Sequence, residues 1–189
     1  MAGAGPDMSA KVVGLAHIVA ALRATPKQVR RAARNTIDRS ITFARREAVN
    51  TINADLKLSK KLLRDRLPAQ RTRQTTLSAS ITADNKQLPM GAYKIKKTRL
   101  SKTRVSVAVR DTLYGPSRRS DSAFINPKHS NKRLIRRVKG AARLPLDLPA
   151  GPSVAVQFDI LLDRAKYTNK ISRFAADEFR QQLRRQVSL

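Results

Sequence analysis

The sequence predicts an α+β domain in which a long N-terminal helix and C-terminal helices pack on an antiparallel β-sheet, with basic extended loops. Three observations lead to this fold class. Apolar side chains recur every three or four residues over residues 26–53, which is the period of a helix. Residues 75–83 and 104–110 instead alternate apolar and polar side chains, as half-buried strands do. Helical spacing returns after residue 151 and continues almost to the last residue.

The N-terminal segment is expected to be a flexible arm over residues 1–10, followed by one domain over residues 11–189. Residues 11–14 are predicted to form a short strand, and residues 15–22 a short amphipathic helix. The apolar stretch at 12–22 is much shorter than the roughly 20 residues that a membrane-spanning helix needs. No basic residue precedes Lys11, and the cleavage pattern of a signal peptide is poor at residues 23–26. We therefore expect no membrane contact.

The long helix is predicted to begin at Thr25 and Pro26. Thr25 supplies an N-cap oxygen, and Pro26 suits the first helical position because no N–H is needed there. A second, shorter helix is predicted from Ser59 to Leu67, ended by Pro68. The apolar stripe of the long helix consists of Val29, Ala33, Ile37, Ile41, Ala44, Ala48 and Ile52.

The two alternating segments, residues 75–83 and 104–110, are predicted to be antiparallel neighbours in one sheet. Between them, residues 86–104 contain no acid and are predicted to be a poorly patterned basic connection. A mobile loop is expected near residues 113–122. Residues 123–125 and 134–138 are short strand candidates joined by a basic turn, and residues 144–148 are expected to be extended.

Two helices are predicted at the C-terminal end, one capped by Ser153 or its neighbour and one that begins near Thr168. Together with the preceding elements they predict a shared core, because each contributing residue lies on the apolar side of its own periodic segment. The predicted core residues are Val29, Ile37, Ile41, Phe158, Phe174 and Phe179, packed with Leu77, Ile81, Val105 and Val107.

The charge balance is extreme, since 40 Lys and Arg residues face 13 Asp and Glu residues, which gives a net charge of +27 and a pI near 11.7. Such an excess repels itself, so an anionic partner is expected. Nucleic acid is the usual candidate, because each basic side chain on a phosphate releases a counterion. Aromatic residues make up only 4% of the chain, with no Trp, whereas proteins that bind single strands stack bases on aromatic rings. Contact with a duplex backbone is therefore the better prediction.

Catalysis is poorly supported by the sequence. The acids are scattered one at a time, whereas metal-dependent nucleases need converging carboxylates. Asp177 and Glu178 are adjacent, so on a helix they point about 100° apart. His17 and His129 have no recognisable nucleophile motif beside them, and the chain has no Cys. We predict no catalytic residue, no metal site, no cofactor and no small-molecule substrate.

The basic segments remain as the candidate functional surface. Their cations are predicted to face duplex DNA or an acidic partner, and the alternative for each is a solvated side chain that aids solubility. The candidate residues are Lys94, Lys96, Lys97, Arg99, Lys102, Arg104, Lys132, Arg133, Arg136 and Arg137.

The order of elements across nearly the whole chain resembles the minor tail protein Z family of lambda-like phages and prophages. The most specific parts are Gly151-Pro152-Ser153-Val154 and the Leu144-Pro145-Leu146 element before it. The other segments that carry the resemblance are the basic helix at 29–52, residues 60–67, the alternating strands, residues 123–125, residues 143–148 and the C-terminal helix with residues 179–184.

The resemblance implies a non-enzymatic structural protein of the virion that is assembled in the host bacterial cytoplasm. It implies a tail completion or neck role at the head-proximal end of the tail, with a part in the DNA path during genome ejection. The implied partners are further copies in a six-fold ring, the tail terminator, the tail tube and the head-tail connector, with non-specific contact to double-stranded DNA. Two alternatives remain: a basic nucleic-acid-binding protein of the cytoplasm and, more distantly, a phage nuclease.

Overall fold

The predicted α+β class is confirmed by the computed structural model, which describes residues 9–10, 27–73, 76–99, 105–120, 122–125, 134–137, 146–147 and 149–187. Residues 1–8 of the arm predicted at 1–10, the elements predicted at 11–22, the helix start predicted at Thr25 and Pro26, and both histidines lie outside these residues. The helices in the described part are α1 (Lys27–Leu56), α2 (Lys60–Arg66), α3 (Val154–Leu162) and α4 (Ala165–Val187). A short 3₁₀ turn occupies Met90–Ala92.

The strands of the described part form small antiparallel sheets rather than one large sheet. The strands are β1 (Ser9–Ala10), β2 (Ala69–Gln70), β3 (Ser80–Thr82), β4 (Gln87–Pro89), β5 (Lys94–Arg99), β6 (Val105–Arg110), β7 (Arg118–Ser120), β8 (Ala123–Ile125), β9 (Leu134–Arg137), β10 (Leu146–Asp147) and β11 (Ala150–Ser153). The orders of the strands in the four sheets are β1-β3-β2, β11-β4, β5-β6-β7 and β10-β9-β8.

The strand predicted at 75–83 is much shorter in the structure, because the chain turns just before it. Arg73 and Thr76 exchange backbone hydrogen bonds of 3.2 and 3.3 Å across this turn, and regular pairing begins only at Ser80. The predicted pairing was also wrong. β3 pairs with β1 and β2, whereas β6 pairs with β5 and β7.

One partner of β6 comes from the segment 86–104, so the prediction that this segment is only a connection was wrong. β5 pairs with β6 along its whole length, from Lys94 opposite Arg110 to Arg99 opposite Val105. Its side chains are charged on both faces of the strand, so hydrophobic alternation, the usual sequence signal of a strand, is missing. β7 lies inside the segment 113–122, and the mobility expected for that segment stays a prediction.

Both C-terminal helices are confirmed, and the second begins at Ala165, earlier than predicted. Ile41, Ile81, Val107 and Phe158 share one buried cluster as predicted. Ile37 is also buried but lies outside that cluster. Leu77, Val29, Phe174 and Phe179 are only half-buried, and the side chain of Val105 lies outside the described part. Phe174 stacks flat on Phe43, with 4.1 Å between ring centroids, and both rings are half-buried.

Helices α1 and α4 pack against each other in an antiparallel, evenly stepped register. From one contact to the next, the residue number rises by four on α1 and falls by four on α4. A polar cluster lies at the centre of this contact, because the buried Glu178 accepts from Arg39 at 2.8 Å and from Gln182 at 2.7 Å. The contacting pairs are Asn35 with Gln182, Arg39 with Glu178, Phe43 with Phe174, and Glu47 with Lys170.

Candidate functional surface

Most acidic side chains in the described part are held by hydrogen bonds or ion pairs within the fold. Asp38 accepts from the backbone N–H of Thr72 at 2.8 Å, which fixes the turn after β2 to α1. Seven further acids form ion pairs, so most of the negative charge in the described part is already engaged within the fold. The ion pairs are Glu47 with Lys170, Asp55 with Arg110, Asp84 with Arg66, Asp111 with Arg118, Asp147 with Arg136, Asp177 with Arg180, and Glu178 with Arg39.

Four of the predicted site residues lie on β5, and all four are exposed: Lys94, Lys96, Lys97 and Arg99. Because paired residues of an antiparallel sheet share a face, Lys94 and Lys96 lie on the same face as Arg119 of β7, which is opposite Ala108. Lys97 is opposite the buried Val107, yet its own side chain is exposed. β5 therefore presents positive charge on both of its faces.

Of the remaining predicted residues, Arg136 is the one whose side chain is described, and it does not lie on this strand. Arg136 lies on β9, in a different sheet, and its guanidinium pairs with Asp147 at 2.5 Å. Arg137 is on the same strand, but its side chain lies outside the described part. Lys102, Arg104, Lys132 and Arg133 also lie outside it. Among the predicted residues with described side chains, the structure therefore brings together the four on β5 and places Arg136 in another sheet.

The position of β5 at the edge of its sheet gives its lysines a second physical explanation. The order β5-β6-β7 leaves one side of β5 without a strand in the described part of the chain. Edge strands commonly carry Lys, because a charged edge resists pairing with the edge of another molecule. Lys94, Lys96 and Lys97 are thus suited to keeping copies of this chain apart before assembly.

The Gly151-Pro152-Ser153-Val154 segment forms a tight joint between β11 and α3. Gly151 pairs with Leu88 on β4, and a Cβ at Gly151 would lie 2.5 Å from a ring carbon of Tyr93. The hydroxyl of Tyr93 donates to the carbonyl oxygen of Pro152. Burial, helped by the charge of Asp111, raises the pKa of Tyr93 well above its usual range. Only glycine allows the ring to approach the backbone this closely.

Ser153 continues the joint into α3. Its side chain accepts from the backbone N–H of Val156 at 3.4 Å, as an N-cap does, and donates to the side chain of Asn85 at 2.9 Å. The neighbouring Asp84 accepts from the backbone N–H of Lys86 and pairs with Arg66. These interactions, led by the backbone hydrogen bond, lower the pKa of Asp84. The loop at 84–86 therefore ties the end of α2 to the start of α3.

Gln157 on α3 holds the chain that follows β6. Its amide nitrogen donates to the carbonyl oxygen of Asp111 at 2.7 Å, and its amide oxygen accepts from the N–H of Leu113 at 2.7 Å. Gln157 is fully buried, with 0% of its surface exposed. Both backbone groups would be left unpaired without it, so Gln157 is a structural clamp.

A shallow depression of about 480 Å³ lies beside Tyr114, lined also by Asn50, Thr51, Ala54 and Asp55. Tyr114 has a positive φ of 60°, which is uncommon for a bulky residue. Asp55 fixes this conformation, because it accepts from the N–H of Tyr114 at 2.9 Å and from Arg110 at 2.6 Å. The guanidinium of Arg164 lies 4.9 Å from the centre of the Tyr114 ring.

No group of three potential metal ligands comes together within the residues that the structure describes. In the same part of the chain, no helix is both long enough and apolar enough to cross a membrane. The described residues form an exposed basic surface, and the buried contacts of Gly151, Ser153 and Gln157 connect the segments beneath it.

Comparison with known families identifies the chain. The model of the prophage minor tail protein Z family matches residues 12–189, which is nearly the whole chain. The chain belongs to this family. It is thus a prophage minor tail protein and a component of the virion, as the resemblance implied. Neither the curated proteins nor the solved structures give a match.

One group of cations in this minor tail protein was not among the predicted site residues. These cations lie at the start of α1 and at the end of α4. Lys27, Arg30, Arg31 and Arg34 recur at spacings of three, one and three, which places them within an arc of about 100° on a helix. That spacing was visible in the sequence. The proximity of these cations to the end of α4 could not be seen in the sequence, because only the register of the two helices shows it.

Proposed function

We propose that this minor tail protein is a tail completion or neck protein. It acts at the head-proximal end of the tail, joins the tail to the head-tail connector and helps to form the path of the DNA. The observation that carries the proposal is the uncompensated positive charge of a chain from a tail protein family, whose described acids are mostly engaged within the fold. A protein at the neck meets both the genome and other virion proteins, so this location provides anionic partners.

The proposed partners are further copies of the chain in a six-fold ring, the tail terminator, the tail tube and the connector. The exposed cations of β5 are suited to an acidic rim on one of these proteins or to passing DNA. Copies that each carry a charge of +27 repel one another, so we place ring formation on the tail or connector. Assembly would take place in the host cytoplasm, without enzymatic activity.

Charge reversal in a phage that encodes this protein tests the proposal. The variant Lys94→Glu, Lys96→Glu and Lys97→Glu should fold, because exposed substitutions usually cost within about 0.5 kcal/mol each. Tails should still assemble, but the particles should infect poorly. The matched control is Lys57→Glu, Lys60→Glu and Lys61→Glu, which makes the same charge change at exposed positions around α2. Full infectivity of the β5 variant would leave the solubility and edge-protection explanations in its place.

The second candidate is a non-specific nucleic-acid-binding protein of the cytoplasm, which the net charge alone would also support. The two functions differ in where the protein is found. A tail protein should be recovered in purified particles, whereas the second candidate should remain in the lysate with bound RNA.

A further inference from the structure

The register of α1 and α4 brings the first turns of one helix beside the last turns of the other. Asn35 donates to Gln182 at 3.4 Å, and one helical turn closer to the start of α1 is Arg31. The corresponding step toward the end of α4 leads to residue 186, next to Arg185. Cations from both helices therefore gather at this end of the pair, which we call the basic tip. It consists of Lys27, Arg30, Arg31 and Arg34 on α1 and Arg180, Arg184 and Arg185 on α4.

Within the part of the chain that the structure describes, little acidic charge offsets the basic tip. Neither residues 27–34 nor residues 180–187 include an acid. Glu178 is already engaged with Arg39 and Gln182, and Asp38 holds Thr72. Asp177 pairs with Arg180 at 3.4 Å, but both side chains are largely exposed. Further along the pair, by contrast, Glu47 pairs with Lys170.

The α1 cations also occupy an unfavourable place on their own helix. The N-terminus of a helix carries partial positive charge, so acids are favoured there and cations are disfavoured. The first turn of α1 contains no acid, and Lys27 and Arg30 stand there instead. Their charge adds to that of the helix end, which strengthens the positive field that an anion would meet.

The composition of the basic tip favours a nucleic-acid backbone over a protein. Six of its seven cations are Arg, which binds phosphate through paired hydrogen bonds. Protein interfaces need an apolar centre, and the large apolar residues that are exposed in the described part, Tyr114 and Val156, both lie elsewhere in the sequence. Phe179 is half-buried, so the tip lacks the open aromatic ring on which single strands stack.

We propose that the basic tip binds the phosphate backbone of duplex DNA without sequence specificity. The contact is electrostatic and releases counterions, so its affinity falls with salt in proportion to the number of phosphates engaged. The surface is distinct from β5, whose lysines suit an acidic neighbour or an edge that resists pairing. Only the identity of the DNA as the phage genome rests on the proposed neck role.

The test measures binding of the purified full chain to a short duplex of mixed sequence by fluorescence anisotropy over a range of salt. The variant Arg30→Gln, Arg31→Gln and Arg185→Gln removes three exposed cations from the tip. The matched control, Lys94→Gln, Lys96→Gln and Lys97→Gln, removes the same charge from β5. We expect the slope of log affinity against log salt to fall by up to about 2.7 in the tip variant, at roughly 0.9 for each phosphate that is no longer neutralised. The slope of the control should fall clearly less.

Equal reductions of the slope in the two variants would overturn the proposal, because they would show that net charge alone attracts DNA. Unchanged DNA binding in the tip variant, together with weaker binding to polyglutamate, would assign the tip to an acidic protein instead. Stronger binding of a single-stranded oligonucleotide than of the duplex would also overturn it.

Two controls accompany the test. Circular-dichroism melting checks folding, and the variant Arg30→Lys, Arg31→Lys and Arg185→Lys should retain most of the salt slope. Failure of these assays leaves the neck role intact, since particle assembly is measured separately.

Discussion

The ring of Tyr93 lies against the backbone of Gly151, so closely that a Cβ at this glycine would be 2.5 Å from the ring. Tyr93 follows the 3₁₀ turn after β4, and Gly151 lies on β11, which pairs with β4. The contact therefore locks a joint between segments nearly sixty residues apart, and the hydroxyl of Tyr93 closes it by donating to Pro152. It gives a physical reason for the glycine in one of the most specific motifs of the family resemblance.

Gly151→Ala should destabilise the protein by about 1–3 kcal/mol, because overpacking forces the ring or the strand to move. Urea unfolding followed by circular dichroism measures this loss. The double variant Gly151→Ala with Tyr93→Ala should show strong coupling, since the clash disappears with the ring. Additive losses in the double-mutant cycle would contradict the contact.

Gln157→Leu should cost about 2–5 kcal/mol, because it keeps the side-chain size but leaves the Asp111 carbonyl and the Leu113 N–H without their partner. The control Gln181→Leu changes an exposed glutamine on α4 and should stay within about 0.5 kcal/mol. Thermal melting of the two variants side by side decides the matter. If the Gln157 variant had the melting temperature of the wild type, Gln157 would not be what holds the chain after β6 in place.

Stability should decrease at alkaline pH because of Tyr167, whose hydroxyl donates to the carbonyl oxygen of Ala44 at 2.9 Å. Burial, followed by the charge of Glu47, raises its pKa in the folded state. A raised pKa gives stability that is fully present below the unfolded value of about 10 and is lost as pH rises above it. Tyr167→Phe should therefore lose less stability than the wild type between neutral and strongly alkaline pH. Urea unfolding of the two proteins at neutral and at alkaline pH measures the difference, and an identical pH dependence would contradict this role of Tyr167.

In isolation the protein should be a monomer or a small oligomer whose size depends on salt, because like-charged copies repel until an acidic surface offsets them. Analytical ultracentrifugation near physiological salt, repeated at higher salt, measures this directly. A stable hexamer formed without any partner would contradict the expectation and would indicate a ring that assembles on its own.

Helices were the part of the fold that could be predicted from sequence, because their signals are local. The apolar period of α1 and the caps at Ser59 and Ser153 all lie within a few residues of the turns they specify. The short strands β8 and β9 pair with each other, as expected of two strand candidates joined by a turn. The pairing predicted for residues 75–83 and 104–110 was wrong, since β6 pairs with β5, which carries cations where hydrophobic alternation was expected. The pairing of β5 with β6 could be found only from the three-dimensional arrangement of the chain.

The candidate surface, too, could be predicted where the signal is local in the sequence and not where it depends on distant segments. The sequence identified the cations of β5, because an acid-free run is visible in one dimension. It could not show that Arg136 is offset by Asp147, or that Arg31 comes close to the end of α4. Both relationships depend on pairing between segments that are distant in the chain, one across β9 and β10 and the other along two helices.

The position of the protein in the phage particle tests the central claim most directly. A cryo-electron microscopy reconstruction of the intact virion should show this chain as a ring at the head-proximal end of the tail, between the tail tube and the connector. In that reconstruction the basic tip should lie toward the DNA. Density for the chain at the distal tip of the tail, or its absence from mature particles, would contradict the neck role.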